Sequence, residues 1–74
     1  MNAPLSAYRP TTLAMILAAL TQDAAGGRYP ASSLVRRDIA AFYEALLVNC
    51  GADAFEYMEA AGVVAEELPQ TALA

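Results

Sequence analysis

Residues 53–69 read DAFEYMEAAGVVAEELP, and the way this stretch folds decides the architecture of the chain. Asp53 followed by Glu56 has the D-x-x-E form of a capping box, in which each side chain reaches a free backbone amide at a helix start. Ala54, Tyr57, Met58, Ala61, Ala65 and Leu68 then hold a helical phase for about four turns, with Val64 at the edge. Gly62 interrupts the composition but not the phase, and a helical glycine costs about 1 kcal/mol relative to alanine. Pro69 stops any helix that reaches it. The spacing therefore predicts one helix over 54–68; the alternative is a helix that ends at Gly62, followed by a short second one.

Working outward, residues 11–27 place Leu13, Ile16, Leu17 and Leu20 at i, i+3, i+4 and i+7, one helix face. Thr11 or Thr12 can cap the start and Gly26-Gly27 the end, giving a helix over about 12–25. Nothing between Thr12 and Gln22 is charged, so this helix is expected to be buried on more than one side. Ser32 or Ser33 can cap a second helix over about 33–50, with Val35, Ile39, Phe42 and Leu46 as its core stripe. Gly51 is its expected left-handed cap. The first ten residues hold two prolines and no period, and are read as a flexible, extended arm. Residues 11–68 form one domain, and 69–74 a frayed tail. The fold class is all-α, a small three-helix bundle.

Composition narrows the chemistry. The 74 residues carry 4 basic and 8 acidic side chains and no His, for a net charge of -4. All the bases are Arg, so there is no imidazole base and no lysine for a Schiff base or a P-loop. Neither a metal site nor a cofactor is expected. Cys50 is alone; it forms no internal disulfide and is expected to be a buried structural thiol. Its place at a helix C-terminus disfavours the thiolate. The paired carboxylates fall on an exposed helix face rather than in a cleft, so the chain is not expected to be an enzyme. Four Arg against 8 acids is the wrong balance for phosphate contacts, so direct nucleic-acid binding is not expected either. Arg9 ahead of the apolar run 13–20, with Ala24-Ala25-Gly26 behind it, loosely resembles a signal peptide, but the run is short. It is also too short to span a membrane, and the expected location is cytoplasmic.

The charges divide by halves. Residues 1–37 hold four Arg and one Asp, a net of +3; residues 38–74 hold seven acids and no base, a net of -7. Glu56, Glu59, Glu66 and Glu67 are expected on one acidic face opposite the apolar stripe, either solvated or turned to a basic partner. Arg36 and Arg37 sit at the positive end of the second helix, and Glu66 and Glu67 at the negative end of the third, each against the local dipole. Antiparallel packing of those helices would let the misplaced charges pair; the competing expectation is that the arginines face an external acid.

With 58% apolar residues, 18 of them Ala, a chain this short leaves apolar surface over for another protein or a second copy. The expected partner-binding residues are Arg36, Arg37, Tyr43, Leu47, Phe55 and Val63, because aromatics with nearby arginine make the usual anchors. Phe55→Asp or Leu47→Asp is expected to abolish partner binding or dimerisation and spare helicity. The function expected is therefore a non-enzymatic regulator or inhibitor acting on another protein, like the small proteins of phages and mobile elements in general type, with a homodimer favoured. A structural homodimer subunit is an alternative. Ser33-Leu34 at the start of a helix in a short acidic chain also resembles acyl carrier proteins, which implies an acidic carrier modified at Ser33. Against that family's pattern, Ser32 stands in place of the Asp of its Asp-Ser-Leu signature, Arg36 and Arg37 stand where it presents acids, and the long first loop is missing.

Overall fold

The structure, a computed structural model, describes residues 4–27 and 34–69. Within them the chain is all-α: α1 (Pro10–Ala25), α2 (Leu34–Cys50) and the short α3 (Ala54–Ala61), with 3-10 turns at Leu5–Ala7, Gly51–Asp53 and Ala65–Glu67. Two helices are long and the third has only 8 residues. This departs from three long helices, because residues 54–68 do not form one rod. The expected caps at Ser32 and Ser33, the modification at Ser33 and the tail from Gln70 onward lie outside the described residues.

α1 begins with Pro10 in its first turn, where the missing N–H costs nothing; Thr11 and Thr12 are already inside the helix. It packs on both other helices. Leu13, Leu17 and Thr21 are fully buried and Ala14, Ala18 and Ala24 nearly so, whereas Ile16 and Leu20 are half-buried. The buried stripe is thus rotated toward the small residues, which let neighbouring helices approach closely. Packing against both α2 and α3 buries α1 on more than one side, and Met15 and Ala19 are left exposed.

α2 contributes Ile39, Tyr43, Ala45 and Leu46 to the core, with Val35 and Phe42 half-buried beside it. Each large side chain withdrawn this way contributes about 1.5–3 kcal/mol of transfer free energy. Gly51 is left-handed (φ 57°), as its reading as a cap requires. Of the segment expected as a flexible arm, residues 4–9 lie along α2: Leu5 packs against the core, and the Asn49 Nδ2 donates to the Ser6 and Tyr8 carbonyls at 2.7 Å each.

The expected capping box at Asp53 does not form. Asp53 has helical backbone angles (φ -68°, ψ -14°) and makes no side-chain cap bond, because the Gly51–Asp53 turn runs straight into α3. At the other end Gly62 is left-handed (φ 88°). Its N–H donates to Glu59, and the Val63 N–H reaches back to Met58 at 3.0 Å. That pair of bonds is a Schellman motif, and it ends the helix.

Candidate functional site

The break at Gly62 builds a groove. α3 forms one wall; the chain reverses at Gly62, and residues 63–68 return as the other wall. Between them Phe55, Met58, Glu59, Val63, Ala65 and Leu68 line about 300 Å³. Met58 (4% exposed) and Leu68 (7%) belong to the core and form an apolar floor. Phe55, 50% exposed, stands on the rim, and exposed Glu59 is the one charged lining residue.

Three side chains hold the return segment in place. Thr21, buried in α1, donates its hydroxyl to the Leu17 carbonyl at 2.8 Å and accepts the Val64 N–H at 3.0 Å. The neighbouring Gln22 donates to the Gly62 carbonyl at 3.0 Å. Arg36, in the first turn of α2, pairs with Glu67. Charges that oppose the helix dipole in sequence thus close the structure onto itself, and a partly exposed pair of this kind contributes up to about 1 kcal/mol.

The remaining expected site residues separate around this geometry. Tyr43 is corrected to the core: at 2% exposure, with its hydroxyl lacking a hydrogen-bond partner among the described residues, it offers nothing to a partner. Leu47 is half-buried against the core. Phe55 and Val63 share the groove. Arg37 is exposed, whereas Arg36 is committed to Glu67. The acidic residues do not form one face, because the helix that would carry them ends at Ala61. Glu59 lies on the groove, Glu56 on a separate recess with Asp53, Tyr57 and Ala60, Glu66 is exposed in the last 3-10 turn, and Glu67 is paired.

Thr21, Gln22, Met58 and Leu68 complete the groove, and the hydrophobic pattern flags only the last two. Thr21 and Gln22 carry a weak signal: polar side chains at the end of an apolar helix, within reach of a glycine turn. Cys50 is half-buried, and its Sγ donates to the Leu46 carbonyl at 3.3 Å. Burial, and secondarily the Asp53 carboxylate, push this thiol above its ordinary range, which disfavours the nucleophilic form. No group of His, Cys, Asp and Glu able to hold a metal occurs among the described residues, and no helix there is long and apolar enough to cross a membrane. The chain matches no protein-family profile, and comparison with curated proteins and with solved structures returns no match.

Proposed function

We propose that this chain is a non-enzymatic interaction module, a small cytoplasmic regulator or inhibitor that binds another protein through the Phe55–Val63 groove. The observation that carries this reading is a half-exposed Phe55 beside a groove whose floor is already built from core side chains. A partner's aromatic or branched aliphatic side chain entering there would meet pre-ordered apolar walls, which lowers the entropic cost of binding. Glu59 on the rim favours a basic neighbour on the incoming segment. The test is affinity purification of wild-type protein and of Phe55→Asp from the native host. Wild type is expected to bring down a stoichiometric second polypeptide and Phe55→Asp to lose it with its helical spectrum unchanged. Recovery of the same partner by Phe55→Asp would remove the groove from the interaction, and a covalent adduct on Ser33 would establish the carrier reading instead.

A further inference from the structure

The opposite flank of α3 carries a second surface of different design. Thr11, Ala14 and Met15 of α1 and Tyr57, Ala60 and Ala61 of α3 border a groove of about 350 Å³. Its two large side chains project, Met15 at 62% exposure and Tyr57 at 38%, while the three alanines leave the space beside them open. Projections and hollows on one patch are what a two-fold interface requires, since each copy must supply both halves of the fit. Charges of both signs lie nearby, acids in an adjoining recess and an arginine just ahead of α1. Tyr57 and Ala60 continue into the recess bordered by Asp53 and Glu56, and exposed Arg9 stands two residues ahead of Thr11. Arg9 and Glu56 form no ion pair with any described residue.

A stable interface takes about 800 Å² from each partner, roughly a sixth of the 4885 Å² surface of this chain. Six lining residues are too few, so the contact must spread onto the charged margin. A margin of acids alone would repel its own copy; Arg9 near the acids Asp53 and Glu56 gives each copy charges of both signs to present to the other. We propose that this face pairs with the same face of a second copy in a two-fold dimer. Met15 and Tyr57 of each chain fill the space over Ala14, Ala60 and Ala61 of the other, and Arg9 of each faces Glu56 of the other. Because Phe55 lies in the other groove, dimerisation leaves the Phe55–Val63 site open.

Sedimentation velocity on the purified full chain, from low micromolar to millimolar concentration, tests this. Wild type is expected to move from monomer to dimer. Ala60→Leu, at an exposed helical position, is expected to fill the hollow and weaken the dimer about tenfold or more with an unchanged far-ultraviolet spectrum. Met15→Glu serves the same purpose should Ala60→Leu disturb the helix. Arg9→Glu and Glu56→Arg should each weaken the dimer, and the double reversal should restore it; Phe55→Asp should dimerise like wild type. A monomer throughout, an open-ended series of oligomers, a dimer indifferent to Ala60→Leu and Met15→Glu, a dimer lost in Phe55→Asp, or a double reversal no better than the single ones would each overturn the proposal.

Discussion

Tyr43 is buried and Cys50 half-buried, and each carries a testable consequence. The Tyr43 ring fills the core while its hydroxyl has no hydrogen-bond partner among the described residues, and a buried polar group in that state costs about 1–3 kcal/mol. Tyr43→Phe keeps the ring and removes the unpartnered group, so it is expected to raise stability by about 1 kcal/mol in urea unfolding. A loss of stability would show that the hydroxyl is satisfied. Cys50 supplies the pH-dependent term. Burial, and then Asp53, raise its pKa in the folded state, so the protonated thiol is favoured there. Its contribution is whole below the unfolded-state value near 8.5 and is lost as pH rises through the higher folded value. Stability should therefore decline above about pH 8.5, and Cys50→Ser should flatten that part of the profile. Alkylation of native Cys50 by iodoacetamide at pH 8 should likewise be slower than in urea. The direction of the Cys50 shift agrees with the reading from its place at a helix end, although burial and Asp53 are its causes. Tyr43 is not, because Ile39, Tyr43 and Leu46 obey the same spacing as Val35, Ile39, Phe42 and Leu46, and periodicity alone does not choose between two overlapping stripes.

At the scale of elements, the outcome turns on Gly62. Hydrophobic phase carries through it, with Ala61, Ala65 and Leu68 all in register, yet the backbone reverses there. Phase counts residues and is blind to handedness; the left-handed residue ends the helix while Leu68 still reaches the core by another route. What decides between helix and turn is supplied from far along the chain, by Thr21 and Gln22 on α1 and by Arg36 on α2. A single segment does not contain that information. Gly62→Ala places a side chain in the left-handed region, at about 1–2 kcal/mol, and sets its Cβ 3.2 Å from the Gln22 amide nitrogen. The expected result is a thermal midpoint several degrees lower together with weaker partner binding, because the same turn shapes the groove. Unchanged stability would mean that the turn is not needed. The helix ends at Gly51 and near Gly26-Gly27, by contrast, are legible, since glycine there coincides with the end of the periodic pattern.

At the scale of the molecule, α3 is two turns long and serves three surfaces at once. Ala54 and Met58 enter the core, Phe55 borders the groove with Val63, and Tyr57 borders the groove with α1. The all-α class and the exposure of Phe55 off the core stripe follow from the hydrophobic pattern; the meeting of Phe55 with Val63 does not, since it needs the turn at Gly62. The division of the acidic side chains among Glu59, Glu56 and the paired Glu67 does not, since it depends on where the third helix stops. In the proposed role one flank of α3 binds a foreign protein. Native mass spectrometry of wild type, Phe55→Asp and Ala60→Leu, each purified from the native host, is the decisive test of that role. The predicted pattern is a homodimer carrying a second polypeptide in wild type, a bare homodimer in Phe55→Asp, and a monomer that keeps the second polypeptide in Ala60→Leu. A second polypeptide bound equally by wild type and Phe55→Asp, or absent from wild type, would contradict it.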